Sequence, residues 1–375
     1  MDFDFTDEQS SLRDAVARWV EKGFSFERRH GIAKAGGATR AVVTELAELG
    51  LTGLVIPEAD GGLGMGAVEA MVVCEELGRG IVNAPFAHAA VMAPLLLAAA
   101  PAALRAQCLP AMAAGEWLVV PALPERAARY RVEHVTTRAE QAGGAWRLSG
   151  TKCTVPAADE ADAFVVPARW AGATTDSAGI GLFLVRKADA RVSGYATQDG
   201  ARAGDVHLAA SAAELIAADG HEALQAAVDA GIAAHAAEAV GLMDRLTAIT
   251  AEYMNTRKQF GVTLATFQAL RHRMADVKMQ LELARSMSYF ASLKLGEPTP
   301  QRRRAVSQAR VQLGHSMRFV GQQCIQLHGG IGCTDEYIAS HIFKRLTMLE
   351  LTLGDTLHHL GEVSARMQDT AGVFA

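Results

Sequence analysis

Residues 255–261 read NTRKQFG, a polar, glycine-ended break in an otherwise helical stretch. From about residue 217 the helical period persists, and after the break Phe267, Leu270, Met274, Val277 and Leu281 resume it three and four apart. Two long helices folded back on one another are the expectation. Inside the break, Arg257 offers a planar fork suited to phosphate, and Phe260 offers a face for an aromatic ring. Standing alone, the segment is better explained as a solvated loop Arg with an anchoring Phe.

Toward the C-terminus, Leu313, Met317, Val320, Cys324 and Leu327 line another helix, which ends in QLHGGIG (326–332). Gly329 and Gly330 would let backbone N–H groups approach a phosphate, and Gln326 can hydrogen-bond a ring or a ribose. Alone, this is a helix stop. Further on, ELTLGDTLHHL (350–360) gathers Glu350, Asp355, His358 and His359. Adjacent histidines on a helix diverge by about 100°, and H-x-x-x-H spacing is absent, so no metal site is expected. Asp355 reads instead as the cap of a helix starting at Thr356, with both histidines on a partly exposed face.

Toward the N-terminus, residues 118 to about 215 carry short alternating or apolar runs (WLVVPAL, AWRLSG, DAFVVPAR, IGLFLVRK, DVHLAA) between Gly, Asp, Ser and Thr clusters, as antiparallel strands do. Before them the chain is helical. Thr6 with Gln9 forms a capping-box pattern, a second helix is expected at 39–49, and others at 67–80 and 86–114. The glycines of VIPEADGGLGMG (55–66) match no nucleotide loop and read as a turn. The expected class is therefore α+β, with an N-terminal helical domain (1–117), a central antiparallel β domain (118–216) and a C-terminal helical bundle (217–375) with breaks near 255–265 and 296–301.

Composition narrows the function. The 375 residues are 50% hydrophobic and 21% charged, with net charge -5, which gives no electrostatic reason to bind nucleic acid or anionic membrane. The R-R-R run at 302–304 reads as a solvated helix face. The start, MDFDFTDEQ, is unlike a secretory signal, and the apolar run 88–104 is broken by Pro94 and Pro101, short of the roughly 18 residues of a span. Five scattered cysteines without a C-x-x-C pair read as free thiols, and a cytoplasmic protein is expected.

Taken together, R-K-Q-F-G (257–261), Gln268 and Q-L-H-G-G (326–330) resemble the acyl-CoA dehydrogenase family. IPEADGGLGMG, EELGRG (75–80), CLPAMAAGE (108–116) and LSGTK…ADAFVVPAR (148–169) are similar to family segments as well, so the resemblance spans nearly the whole chain. It implies a helical N-terminal domain, a central β domain and a four-helix C-terminal bundle. It implies FAD, with Arg257 at the pyrophosphate, Phe260 and Gln268 along the flavin nucleotide, and Gln326, Gly329 and Gly330 at the ADP portion across a dimer interface. It also implies an acyl-CoA substrate, a dimer or tetramer, and electron-transfer flavoprotein as the onward acceptor.

The pattern breaks at the chemistry. The family's usual base is a glutamate sixteen residues after a tyrosine, and from Tyr337 that count reaches Leu353, with Gly354 retained. The alternative family position, on the first long helix, aligns with Gly231; Asp229 and Glu238 lie near it without matching it. Asp355 and Glu350 are left as weak candidates for a base. The stretches that should contact the flavin ring, VVPALPERAARY (119–130) and KCTVPAAD (152–159), carry Thr154 in place of a Trp and Pro156 in place of a hydroxyl residue. Such departures are similar to the small, base-lacking subunits of heteromeric pimeloyl-CoA and steroid-type acyl-CoA dehydrogenases, which work with a homologous base-carrying subunit. The other reading is an inactive FAD- or acyl-CoA-binding member with a structural or regulatory role.

Overall fold

The computed structural model describes residues 5–367; the acidic start at residues 1–4 and the end at 368–375 lie outside the described residues. The chain forms two compact units, each assembled from non-contiguous stretches. One comprises Met1–His30, Met71–Val82 and Ile232–Ala375; the other comprises Gly31–Ala70 and Asn83–Gly231.

The first unit is helical. Its main elements are the helix His221–Thr256 from Ile232 onward, then Gln268–Leu293, Thr299–His328, Ile338–Glu350 and Thr356–Ala365. Their apolar stripes meet in a core that includes Leu242, Met243, Leu246, Val277, Leu281, Leu313, Met317, Val320 and Leu346. The helix Asp7–Gly23 starts with the expected capping box, Thr6 and Gln9 each closing a backbone N–H of the other. Two glycines set a close crossing between the segment around Gly78 and the helix carrying Gly241. A side chain on Gly241 would run into the Glu75 carbonyl and lie 2.8 Å from Arg79 N, and one on Gly78 would run into the Glu238 carbonyl. Such a crossing brings two backbones together where any Cβ would hold them apart. Among the described residues His221–Thr256 alone is long and apolar enough to cross a membrane, but 94% of that window is buried inside the protein, as in a core helix.

The second unit is built on seven strands: β1 (Val119–Pro121), β2 (Arg138–Ala142), β3 (Ala145–Pro156), β4 (Ala163–Arg169), β5 (Ile180–Arg186), β6 (Arg191–Ala196) and β7 (Arg202–Ala217). They run in the order β1-β4-β2-β3-β7-β5; β5 also pairs with β4, closing a ring, and β6 extends it beside β7. Most pairings are antiparallel, as expected, but β4 pairs in parallel with β1 and with β2, so the sheet is mixed. For β1 beside β4 the reason lies in burial. β1 and β4 are buried at every position, and a continuous apolar run carries no alternation from which direction can be read.

Polar anchors fix this unit. Arg169, fully buried at the end of β4, donates to six carbonyl oxygens, those of Glu133, Val135, Ala171, Thr174, Asp176 and Ala178. The helix expected at 39–49 spans Arg40–Glu48, and its start is capped from elsewhere: the Glu160 carboxylate accepts from Thr39 N and Arg40 N at 2.6 and 2.7 Å. The helix expected at 86–114 is broken. A π-helical turn (Ala87–Met92) runs into Ala93–Leu97, and a new helix, Ala102–Ala113, starts after Pro101. VIPEADGGLGMG forms the expected turn, held by Leu63 N to Gly53 O, Gly64 N to Ile56 O and Met65 N to Leu54 O.

Candidate functional site

The quoted break is a two-residue hairpin. Lys258–Gln259 pairs with Val262–Thr263, and the turn residues Phe260 and Gly261 both have positive φ, 54° and 81°. That geometry gives a type I′ turn, in which glycine is at ease and phenylalanine is strained by about 1 kcal/mol. The strain holds the Phe260 ring at the tip, 90% exposed and edge-on to Phe267 at 6.2 Å. Arg257 is exposed at the base of the hairpin, and its side chain forms no ion pair with the described residues. Gln268, also exposed, is the first residue of the next helix.

The second motif closes the helix Thr299–His328. Gly329 (φ 65°, ψ −140°) takes a conformation reserved for glycine, and nothing lies within 4 Å of where a Cβ would sit on Gly329 or Gly330. Gln326 is exposed beside them. The histidine of the motif faces inward. His328 Nδ1 donates to Cys324 O at 2.8 Å, and Nε2 accepts from Tyr337 at 3.2 Å. Burial holds its pKa below the usual imidazole value. Tyr253 stacks on His328 at 4.8 Å, so both motifs lie at one end of the bundle. In the turn that follows, Cys333 is an exposed thiol.

At the other expected centre, neither carboxylate is free. Glu350 is buried and accepts from Thr356 N and Oγ1 at 3.0 and 2.5 Å, with Arg310 Nη1 3.6 Å from its other oxygen. Asp355 caps the helix Thr356–Ala365, accepting from His358 N at 2.8 Å. Between them Leu353 adopts φ 57° and Gly354 φ 110°. Glu238 is held by two bonds from Arg345, at 2.6 and 3.0 Å, and Asp229, in the second unit, accepts from Gln225 at 3.1 Å.

The histidine pair departs from expectation. His358 is half-buried, but His359 is buried: its Nε2 donates to Leu353 O at 3.1 Å and its Nδ1 accepts from Ser307 Oγ at 3.3 Å. Ser307 lies 52 residues away, so no local pattern could reveal this contact. Burial, reinforced by the Arg310 charge, pushes the His359 pKa down to about 3. The unfolded chain would take up this proton near pH 6.5, whereas the folded chain resists down to about pH 3. Stability should therefore fall as pH drops through that window, by up to roughly 1.4 kcal/mol per unit for this one group. Replacing His359 by Gln should flatten that slope in denaturant titrations from pH 7 to pH 4, whereas an unchanged slope would refute the assignment.

Among the described residues, the cluster spaced for a metal is His30, Asp335 and His341. His341 has both nitrogens engaged, Nδ1 by the Arg29 guanidinium and Nε2 by Asp335 O at 2.8 Å. With His30 bonded to Asp335 at 3.0 Å and Lys344 3.5 Å from it, the cluster is a hydrogen-bonded knot around one Lys–Asp ion pair.

In the second unit, the stretches 119–130 and 152–159 line a cavity of 330 Å³ with Pro124, Glu125, Arg126, Arg129, Cys153, Thr154, Tyr195 and Asp205 around it. Part of its donor set is engaged internally. Thr154 N and Tyr195 OH both bond Asp205 Oδ1, at 3.0 and 3.2 Å, and Cys153 N bonds Pro124 O at 2.8 Å. Sequence reading missed Tyr195 and Asp205, because a bulge in the β3–β7 register between Lys152 and Val155 places Asp205 opposite Thr154. Below the cavity Glu125 gathers Thr136, Thr137 and the fully buried Lys152.

For a flavin dinucleotide the two regions differ in fit. The bundle end presents an exposed aromatic ring, an arginine without an ion-pair partner and an open glycine pair, which suit an adenine nucleotide and pyrophosphate. In the second unit's cavity Asp205 takes up the Thr154 amide and the Tyr195 hydroxyl, and Pro156 has no N–H, so fewer neutral donors remain for a flavin ring beside the Arg126 and Arg129 side chains that also line it.

A helical first segment, a central sheet and a terminal bundle carrying these motifs are the architecture of acyl-CoA dehydrogenases, and this chain belongs to that family. The family's N-terminal domain model matches residues 6–116 and its C-terminal domain model matches residues 218–368. Acyl-CoA dehydrogenase FadE28 of Mycobacterium tuberculosis is 29% identical, covering 98% of this chain and 99% of its own. The (2S)-methylsuccinyl-CoA dehydrogenase of Cereibacter sphaeroides is 26% identical over 88% of this chain, which spans 64% of that relative's length. Among solved structures, the steroid enzyme Tcur3481-Tcur3483 superimposes with TM-score 0.87 at 28% identity, covering 98% of this chain and 99% of that one. The ChsE4-ChsE5 complex from Mycobacterium tuberculosis gives TM-score 0.88 at 25% identity, covering 99% and 100%.

Proposed function

We propose that this chain is the base-lacking subunit of a heteromeric, cytoplasmic acyl-CoA dehydrogenase acting on acyl-CoA thioesters of the fatty-acid or steroid side-chain type. The observation that carries this reading is the turn at Leu353. An alkyl side chain, which cannot accept a proton, stands where the family resemblance puts a carboxylate, and Glu350 and Asp355 are both committed to hydrogen bonds in the fold. FAD, when bound, supplies the acceptor for hydride from the acyl β carbon. In this chain Arg257 would hold its pyrophosphate, Phe260 and Gln268 its nucleotide, and Gln326, Gly329 and Gly330 its ADP portion. With the Thr154 amide and the Tyr195 hydroxyl taken up by Asp205, the ring would be held largely by a homologous, base-carrying subunit, and electron-transfer flavoprotein would take the electrons onward.

The test is the visible spectrum of the purified chain, alone and with a homologous chain bearing glutamate at the position of Leu353, during anaerobic addition of an acyl-CoA panel. Bleaching of the flavin band should need both chains. Bleaching by the chain alone would overturn the reading. A band that shifts without bleaching in either sample would favour acyl-CoA binding without turnover, which the surviving backbone amide of Leu353 permits.

A further inference from the structure

The 330 Å³ cavity of the second unit carries positive charge that its own walls leave unmatched. Its charged side chains are Glu125, Arg126, Arg129 and Asp205. Glu125 is already matched: the Lys152 ammonium lies 2.7 Å away, and the amides and hydroxyls of Thr136 and Thr137 donate to the same carboxylate. Burial, and the Asp205 charge after it, raise the Cys153 pKa, so its thiol stays neutral. Two guanidiniums therefore stand against the single carboxylate of Asp205, which already accepts from Thr154 N and the Tyr195 hydroxyl. Among the described residues neither the Arg126 nor the Arg129 guanidinium has a hydrogen bond or an ion pair. An unused guanidinium is a planar fork shaped for the two oxygens of a carboxylate or phosphate.

The backbone is strained at the same place. Arg129 has φ 50° and Thr154 φ 51°, in the left-handed region that side chains other than glycine disfavour. Both are held there. Ala128 N bonds Glu125 O at 3.0 Å and Arg131 N bonds Ala128 O at 3.1 Å, bracketing Arg129, while Asp205 anchors Thr154 N at 3.0 Å. Residues in sparsely populated conformations persist only where their surroundings over-determine them, and they gather at ligand sites. Here two of them, from separate segments, line one cavity. Its volume is at the small end of the range for organic ligands and exceeds what a lone inorganic ion needs.

We infer that this cavity binds a small organic anion, its carboxylate or phosphate group taken by Arg126 and Arg129 and its apolar part set against Pro124, Cys153 and the Tyr195 ring. A flavin ring is not the occupant this charge selects, since the oxidised ring is uncharged and offers nothing for two cations to neutralise. The inference goes beyond the heteromeric reading and stands without it.

The test titrates benzoate, phenyl phosphate and benzamide, the last an uncharged match in shape for benzoate, into the full-length chain by ligand-observed NMR. Wild type should bind benzoate about tenfold more tightly than benzamide, the worth of one charge-assisted hydrogen bond. The tighter of benzoate and phenyl phosphate identifies the group that the site takes. Arg126→Gln and Arg129→Asn should each reduce the preference for benzoate to about threefold or less and leave benzamide binding as it was. Asparagine tolerates positive φ, so Arg129→Asn should unfold at an equal or higher urea concentration than wild type, and its lost preference then reports on the guanidinium and not on the fold. No benzoate binding or no preference in wild type, or a preference unchanged in both variants, would overturn the inference. Displacement of benzoate by saturating FAD would overturn it too, because the cavity would then be a site for the ring.

Discussion

Replacing Lys152 by Met should destabilise the chain by about 3–5 kcal/mol, the range for removing one partner of a buried ion pair. Lys152 is wholly buried on β3, with its ammonium 2.7 Å from Glu125. Burial alone would push the Glu125 carboxyl up, but the Lys152 charge and the bonds from Lys152, Thr136 and Thr137 outweigh it and pull the pKa down to about 2. Burial lowers the Lys152 pKa in turn, and Glu125 only partly offsets that. The charge pair is therefore costly to build and more costly to break. With Met at 152, Glu125 keeps its hydroxyl and amide donors but no cation, and the loop that reaches Thr137 loosens from β3. Adding Glu125→Gln should recover part of the loss, since a neutral amide can still accept from the two threonines. Urea unfolding of the two variants decides the matter: a single-variant loss below about 1 kcal/mol would sink the account. The sign with pH follows from the depressed carboxyl. Its stabilisation is present above the unfolded value near 4.3 and is lost as pH falls toward about 2.

Gly241→Ala should cost about 3 kcal/mol, the upper end for overpacking a tight contact. The nearest atoms to the added methyl would be the Glu75 carbonyl and Arg79 N, all main chain, so no rotamer change can make room. Opening the crossing would also pull apart the ion-pair network around it. Arg79 bonds Glu76 and Asp244, and Arg285 bonds Glu75 and Asp244. Gly78→Ala should have a similar effect from the opposite side, and the double variant should cost less than the sum, because one displacement relieves both clashes. Thermal unfolding of the three variants checks this. Strict additivity would mean that the two glycines serve separate contacts.

The order of helices and strands could be read from residue spacing because each long element here repeats its own period. The Asp355 cap and the Thr6–Gln9 box were legible for the same local reason, since cap and capped group lie within three residues. What escaped was set by distance along the chain. Ser307 and Arg310 reach the 349–359 segment across about forty to fifty residues, so neither the burial of His359 nor the Arg310 bond to the Gly354 carbonyl has a local trace. The parallel pairing of β1 with β4 escaped because both strands are apolar on both faces. The Thr154–Asp205 bond escaped because a bulge, which no propensity marks, sets its register. For the candidate site, the exposed NTRKQFG and QLHGG motifs were visible as motifs, whereas the engagement of Glu350 and Asp355 appeared only once their partners were in place.

The exposed thiol of Cys333 gives the protein a built-in reporter. Cys74, Cys108 and Cys324 are buried, with thiol pKa values raised by burial, and Cys153 is half-buried and raised as well. A maleimide dye at limiting concentration will thus go first to residue 333, in the same short turn as Gly329 and Gly330. Its labelling rate, read with and without nucleotide or a second chain, turns an unmodified protein into its own footprinting assay at one end of the bundle.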